Sequence, residues 1–138
     1  MGPYFIGVDI GTAGTKAAIV DVNGNVLATA YEESRLYYPK VGWVEQEPED
    51  FIALSINTIK EVLKKSKINP KEVASLSYSG QMAGILAIDK DWNPIISYDS
   101  WLDIRCKDYV NYLSKHYADM LIEIGGVPPT INHLPKMM

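Results

Sequence analysis

Apolar residues in the first quarter of the chain form short runs separated by polar turns, which is typical of strands rather than helices. The three runs cover residues 4–9, 16–21 and 26–31. A glycine-punctuated turn over residues 10–15 joins the first two runs, and Asn23-Gly24 between the last two is the strongest short hairpin signal. The pattern predicts three antiparallel strands, with the turn near Thr12 at one end of the sheet.

An amphipathic helix is predicted after an irregular stretch over residues 32–47. Apolar side chains recur with a helical period from Phe51 to Leu63. Pro48 suits the first helical position, and the acidic residues around it favour the positive end of the helix dipole. Pro70 stops the pattern, so one helix of about five turns is expected here.

The second half of the chain predicts further strands and helices. Apolar and polar side chains alternate over residues 73–79, which predicts a half-buried strand lying alongside the first strand. The other predicted elements are a strand over residues 85–88, a helix over residues 104–117 and a second helical piece over residues 118–124, before the break at Gly125-Gly126. The order β-β-β-α-β-β-α-α predicts a mixed sheet covered by helices, an α/β architecture.

Composition and charge restrict the classes of function. The chain has 138 residues, the usual size of one domain, and 47% of them are hydrophobic, which excludes wholesale disorder. The net charge is −4 and no Lys/Arg block occurs, which argues against nucleic acid as a partner. Cys106 is the single cysteine, so an internal disulfide is excluded. No leader pattern and no apolar run of ~20 residues occurs. We expect one cytoplasmic domain over residues 1–138 with no membrane partner.

The glycine-punctuated turn is the most informative stretch for function. Residues 9–16 read Asp-Ile-Gly-Thr-Ala-Gly-Thr-Lys, which lacks the spacing of a Rossmann fingerprint and the Gly-Lys-Ser/Thr of a Walker A loop. A turn between two strands still holds phosphate when glycines expose backbone N–H groups and Thr12, Thr15 and Lys16 add donors. Asp9 would hold a hydrated Mg²⁺. Taken alone, the residues slightly favour a plain hairpin turn capped by its threonines over a phosphate site.

Four stretches in this order resemble the motifs of one enzyme family. Residues 9–16 resemble the first phosphate motif, Asp-x-Gly-Thr-x-x-x-Lys/Arg, of the sugar kinase–actin–heat-shock ATPase superfamily, which has a ribonuclease-H-like fold. Residues 42–48 (Gly-Trp-Val-Glu-Gln-Glu-Pro), 79–84 (Ser-Gly-Gln-Met-Ala-Gly) and 101–105 (Trp-Leu-Asp-Ile-Arg) are similar to motifs of the FGGY carbohydrate kinases. The match covers essentially the whole chain and indicates the N-terminal segment of a kinase similar to xylulokinases and glycerol kinases.

The resemblance implies transfer of the γ-phosphate of ATP, with Mg²⁺, to a hydroxyl of a small sugar or polyol. It assigns binding of the ATP phosphates to Gly11, Thr12, Thr15 and Lys16. It places Asp9 near the metal, which Asp9 would contact through water. It assigns the sugar pocket to Gln81, Met82, Ala83, Trp101 and Asp103. Without the family, Gln81 is equally a loop amide that caps its own turn. Asp103 and Trp101 would then be a helix N-cap and a core aromatic.

Two departures from the family pattern restrict what the resemblance implies. Ala83 stands where xylulokinases carry His and glycerol kinases carry Glu, so neither D-xylulose nor glycerol is assigned as substrate. The family's catalytic base, second phosphate motif and adenosine site lie beyond residue 138. We therefore expect no catalytic residue in this chain, no activity from it alone, the rest of the same kinase as its partner, and self-association into a homo-oligomer through exposed apolar surface.

Two other classes of function stay open at this point. One is a sugar- or nucleotide-binding module that keeps the fold and lacks the chemistry. The other is a segment of an actin-like or chaperone ATPase, against which the Gln81-Met82 loop and the pair Trp101 and Asp103 argue.

Overall fold

The computed structural model describes residues 2–138 and divides them into two compact units. The first unit comprises the chain up to Arg35 together with Glu47–Gln81, and the second comprises Leu36–Gln46 together with Met82–Met138. That residues 1–138 form one domain stays a prediction. In chain order, the elements are β1 (Tyr4–Ile10), β2 (Gly14–Val20), β3 (Val26–Glu33), β4 (Glu45–Gln46), α1 (Pro48–Ser66), a 3-10 turn (Pro70–Glu72), β5 (Val73–Gly80), β6 (Tyr98–Asp99), α2 (Lys107–Gly125) and α3 (Leu134–Met137).

The first unit is built on a four-stranded sheet with the order β3-β2-β1-β5. Neighbouring strands of the β1-β2-β3 meander run antiparallel, and β5 runs parallel to β1. Asp21 shapes the β2–β3 turn, because its Oδ1 accepts hydrogen bonds from the amides of Asn23 and Asn25, both at 2.9 Å. Gly24 takes a φ of 81° there, a conformation that glycine adopts without strain. The predicted meander and the predicted pairing of the later strand with β1 are both confirmed.

Helix α1 supplies the crossover that the parallel pair β1 and β5 requires. Its observed bounds agree with the predicted helix, and Lys67 ends it in the left-handed conformation with a φ of 57°. Val62 on α1 is fully buried against one face of the sheet. The core of this unit consists of Ile6, Val8, Ala17, Ile19, Ala30 and Val62.

Strand β5 forms where it was predicted, but the prediction that it is half-buried was wrong. Tyr78 is 56% exposed and Leu76 is also exposed, although they pair with the buried Val8 and Ile6 of β1. The reason is the position of α1, which covers mainly β3 and β2. As the edge strand of the four-stranded sheet, β5 lies outside the area that α1 mainly covers.

The second unit contains the two-stranded sheet of β4 and β6 and the helices α2 and α3. The strand predicted over residues 85–88 does not form: Ile85 and Ile88 make only isolated bridges, to Asp99 and Pro94. The tight turn at residues 89–93 leaves too few consecutive pairs for a ladder.

Helix α2 is continuous, whereas the sequence predicted two helical pieces meeting between residues 117 and 118. Ala118 is the residue most compatible with a helix interior, and neither Gly nor Pro interrupts α2 before its last residue. Gly126 then ends the helix with a φ of 75°, as the predicted glycine break requires. No helix within residues 2–138 is both long and apolar enough to cross a lipid bilayer.

Candidate functional site

The turn between β1 and β2 is held by close backbone contacts. Gly11 donates a hydrogen bond from its amide to the carbonyl of Gly14 at 3.0 Å. The hydroxyl of Tyr31 donates to the carbonyl of Ala13 at 2.8 Å, which fastens the turn to β3. A Cβ at Gly14 would lie 2.4 Å from the Tyr31 ring and 2.5 Å from the carbonyl oxygen of Glu32, so only glycine fits there. The turn is therefore preorganised by its own glycines.

A concavity of about 390 Å³ lies beside this turn in the first unit. Asp9 and Lys16 are direct register partners across β1 and β2, so their exposed side chains share one face of the sheet. The Lys16 ammonium lies 6.0 Å from the centre of the Tyr31 ring. The concavity is lined by Asp9, Gly11, Thr12, Ala13, Gly14, Lys16 and Tyr31. The concavity thus combines one cation, one carboxylate and a glycine turn, and four of the five residues predicted for phosphate and metal line it.

Thr15 is the predicted phosphate residue that does not line the concavity. Its side chain is fully buried, and it shares a face of β2 with Ala17 and Ile19, which pack in the core below α1. Its Oγ1 has no hydrogen-bond partner among the described residues. Successive side chains of a strand point to opposite faces, so Thr15 faces away from Lys16. A phosphate contact through the Thr15 hydroxyl stays a prediction that this placement does not support.

Gln81 connects the end of β5 to the glycine turn. Its side-chain Oε1 accepts a hydrogen bond from Thr12 Oγ1 at 2.8 Å, and its backbone N–H donates to the carbonyl of Ile10 at 2.9 Å. The parallel pairing of β1 with β5 ends with Ile10 opposite Gly80, which brings the two loops to the same end of the sheet. A residue predicted for the sugar therefore contacts one predicted for the phosphates.

The second unit holds the Asp103 carboxylate in a fully buried position. Its Oδ2 accepts hydrogen bonds from the Val44 amide at 2.7 Å and from Arg105 Nε and Nη2 at 2.9 and 2.7 Å. Its Oδ1 accepts from the Arg105 amide at 2.8 Å. Burial by itself would raise the pKa of Asp103, but the hydrogen bonds from Arg105 and Val44 outweigh it, and the pKa lies below 3.8. Asp103 is therefore an ionised anchor within its unit.

Arg105 joins two motifs that are far apart in sequence. Its Nη2 donates to Glu45 Oε1 at 2.6 Å, and its guanidinium stacks 3.7 Å from the centre of the Trp43 ring. Burial lowers the pKa of the Arg105 guanidinium, but the hydrogen bonds to Asp103 and Glu45 outweigh it and raise the pKa above its ordinary value. The sequence reasoning missed Arg105 and Glu45 as partners, although both stand in the quoted motifs.

This anchor fixes the short segment that carries Trp101. The Trp101 side chain is 44% exposed, so it is not the core aromatic that the family-free alternative predicts. Asp103 is not a helix N-cap, because α2 begins at Lys107 with Cys106 at the N-cap position. The Trp101 indole is therefore accessible, and the hydrogen bonds of Asp103 fix the segment that carries it.

The loop of Met82, Ala83 and Gly84 is pressed onto β6 in the same unit. A Cβ at Gly84 would lie 2.1 Å from the Tyr98 ring, and Ile85 exchanges two backbone hydrogen bonds with Asp99, both at 2.9 Å. Ala83 takes a φ of 67°, and Met82 is 80% exposed. The exposed Met82 and the left-handed Ala83 lie on a loop that Tyr98 holds in place.

Comparisons with known proteins agree with this architecture. The sequence model of the FGGY family of carbohydrate kinases, N-terminal domain, matches residues 4–137. The chain belongs to this family.

Individual relatives show the same relationship. The xylulose kinase of Bacillus subtilis is 32% identical over 121 residues, which are 88% of this chain and 24% of that protein. The glycerol kinase of Thermococcus gammatolerans is 29% identical over 94% of this chain and 26% of its own length. The crystal structure of a xyloylose kinase from Brucella ovis superimposes with a TM-score of 0.88 at 26% identity and covers 97% of this chain and 28% of that one. The predicted fold, that of the actin- and hexokinase-type ATPases, is confirmed. The chain spans about a quarter of the length of the curated relatives it matches.

Proposed function

We propose that this chain is the N-terminal domain of a kinase that transfers the γ-phosphate of ATP to a hydroxyl of a small sugar or polyol. The observation that carries the proposal is the hydrogen bond between Thr12 and Gln81, which unites a phosphate-type turn with a polar amide at one end of the sheet. An acceptor hydroxyl bound by Gln81 would lie next to phosphates held by the turn. Phosphoryl transfer requires that proximity.

The phosphate side of the proposed site rests on the β1–β2 turn. Gly11, Thr12 and Lys16 line the concavity, and Lys16 adds the cation that offsets charge on the transferring group. The Gly11 N–H and the Thr12 hydroxyl already donate to Gly14 and Gln81, so a bound phosphate would have to replace these two contacts. Asp9 fits a hydrated Mg²⁺, because this ion keeps most of its waters and takes few carboxylates. No group of three or more His, Cys, Asp or Glu side chains that could hold a metal ion occurs within residues 2–138. When bound, the ion would neutralise phosphate charge.

The acceptor side is proposed to involve Gln81, Met82, Ala83 and Trp101. Gln81 both donates and accepts hydrogen bonds, as a hydroxyl requires. The exposed indole of Trp101 offers an apolar face for the carbon side of a sugar. Direct bonding of Asp103 to the sugar stays a prediction; its observed bonds support a role in fixing the Trp101 segment. Ala83 leaves the acceptor's identity open between a sugar and a polyol.

The general base that takes the proton from the acceptor hydroxyl is not assigned to any residue of this chain. We propose that it lies in the remaining part of the kinase, together with the adenosine site. Residues 1–138 alone are therefore expected to consume no ATP in response to sugar. Use of ATP as the phosphate donor favours a cytoplasmic location.

The test is a coupled ADP-release assay with the full-length kinase and a panel of small sugars and polyols. Lys16→Met and Gln81→Leu should each lower acceptor-dependent turnover, whereas Lys115→Met, which changes an exposed lysine on α2, should not. Wild-type ATP hydrolysis independent of every acceptor would overturn the proposal in favour of a chaperone-type ATPase. Acceptor binding without turnover would overturn it in favour of a binding module.

A further inference from the structure

Lys136 on α3 has a completely buried side chain, which is rare for lysine. Its ammonium donates to Asp99 Oδ1 at 2.7 Å, to the Ser100 carbonyl at 2.9 Å and to the Asp103 carbonyl at 3.1 Å. Three acceptors match the three N–H donors of an ammonium group. The environment of Lys136 is therefore built for a charged lysine and not for an apolar side chain.

The hydrogen-bond acceptors of Lys136 belong to two segments that carry residues of the proposed sugar or polyol site. The Asp99 backbone is hydrogen-bonded to Ile85, which directly follows the Met82–Gly84 loop. The carbonyls of Ser100 and Asp103 flank the exposed Trp101 on both sides. One ammonium group thus fixes both segments at the same point in the second unit.

We propose that Lys136 is a positioning residue for the acceptor site, and this inference rests on the proposed function. It fixes the spacing between the Met82–Gly84 loop and the Trp101 segment, and in this way it sets the KM for the sugar or polyol. Its three hydrogen-bond acceptors all belong to the second unit, so we expect no direct effect of Lys136 on the KM for ATP. A small displacement of a binding group is enough to weaken a site strongly.

The obvious variant carries a risk, because Lys136→Met leaves the buried Asp99 carboxylate without its cation. Burial already raises the pKa of Asp99, and the Lys136 ammonium opposes that rise. The double variant Asp99→Asn, Lys136→Met removes both charges together and avoids the unpaired one. Lys107→Met on the exposed start of α2 is the matched control.

The first experiment measures steady-state kinetics of the full-length kinase with the acceptor that the panel identifies. In the double variant, the KM for the acceptor should rise on the order of ten- to a hundredfold, while the KM for ATP stays within about twofold. The single variant Lys136→Arg keeps the positive charge opposite Asp99, so its KM for the acceptor should rise less than that of the double variant. A folded double variant with the wild-type acceptor KM would overturn the inference, as would an equal rise in both KM values.

The second experiment separates this inference from the proposed function, because it needs no activity. Amide hydrogen exchange in the full-length kinase should show lost protection at Ile85 and Asp99 in the double variant, with the amides of β1 unchanged. If the wild-type kinase phosphorylates no acceptor, the proposed function fails. Lost protection would then still support the positioning of both segments by Lys136, and unchanged protection would overturn it.

Discussion

Thr12 Oγ1 donates a hydrogen bond to Gln81 Oε1 at 2.8 Å, although 69 residues separate the two in sequence. The parallel register of β1 and β5 creates this contact, because it brings the ends of both strands to one edge of the sheet. The phosphate-type turn and the β5 loop are therefore mechanically connected. The Thr12–Gln81 hydrogen bond therefore joins two loops that are distant in sequence.

Removing this contact should weaken the first unit modestly. Thr12→Val deletes the donor hydroxyl, and we expect a loss of about 1 kcal/mol in the free energy of unfolding, the usual net value of one hydrogen bond. Urea denaturation of residues 1–138 measures it. The control Thr29→Val changes an exposed threonine of β3 and should alter stability by less than about 0.5 kcal/mol. Equal stability of both variants would contradict the prediction.

Gly14 and Gly7 should respond in opposite ways to alanine. The Gly14→Ala Cβ meets the Tyr31 ring and the backbone of Glu32, so this variant should lose about 1–3 kcal/mol. A Cβ at Gly7 meets nothing within 4 Å, and Gly7→Ala should be neutral or gain up to about 1 kcal/mol. Thermal unfolding of both variants provides the comparison. A destabilised Gly7→Ala beside a stable Gly14→Ala would show that the turn is not closely packed.

Trp92 should be replaceable by glycine with a gain in stability. Asp89 shapes its turn as Asp21 shapes the β2–β3 turn, and Trp92 takes the left-handed φ of 67° where the other turn has Gly24 at 81°. The Trp92 side chain is 81% exposed, so little packing is lost. Trp92→Gly should raise the free energy of unfolding by about 1 kcal/mol, since left-handed backbone costs about that for a residue with a Cβ.

The control for this prediction is in the same turn. Lys90→Gly changes a residue with ordinary backbone angles and should lower stability by roughly 0.5–1 kcal/mol. The signs of the two glycine substitutions therefore differ. A loss in both would mean that Trp92 is held by contacts that outweigh its backbone strain.

Asp103 should make stability depend on pH in acid. Its folded-state pKa lies below the ordinary value of 3.8, so its contribution is present above that pH and is lost as the pH falls through the folded-state value. Asp103→Asn should cost about 3 kcal/mol at pH 7, because it breaks a buried charge pair with Arg105. The difference between wild type and variant should shrink below about pH 4.

Urea titrations at several pH values test this dependence. Asp91→Asn, which changes an exposed side chain, should leave the free energy of unfolding within about 0.5 kcal/mol of wild type at pH 7. A difference for Asp103→Asn that stays constant from pH 7 to pH 3 would show that its carboxylate does not carry the effect.

The sequence predicted the first unit well because its signals are local. Alternation, the Asn23-Gly24 turn and a periodic helix each occupy fewer than about twenty consecutive residues. The face of Thr15 was also readable, since it lies two residues before the apolar Ala17. This alternation conflicts with a phosphate contact through the Thr15 hydroxyl.

The second unit was harder to predict because its decisive contacts connect distant residues. Arg105 contacts Glu45 across 60 positions, and Val44 donates to Asp103 across 59. Hydrophobic periodicity carries no information about such pairs. Lys136 lies in a short helix of four residues, and nothing in the pattern around it indicates a buried ammonium.

Because the ribosome releases the chain from its N-terminus, contacts between distant residues form in a fixed order during synthesis. The four-stranded sheet has all its strands once Gln81 has emerged. Trp43 and Val44 can form their contacts only after Asp103 and Arg105 have been synthesised. The hydrogen bonds of Lys136 form later still. A nascent chain paused between Gln81 and Asp103 has a complete sheet and a segment over residues 36–46 without its partners. In the growing polypeptide, that segment is a stretch where we expect protease cleavage and chaperone binding.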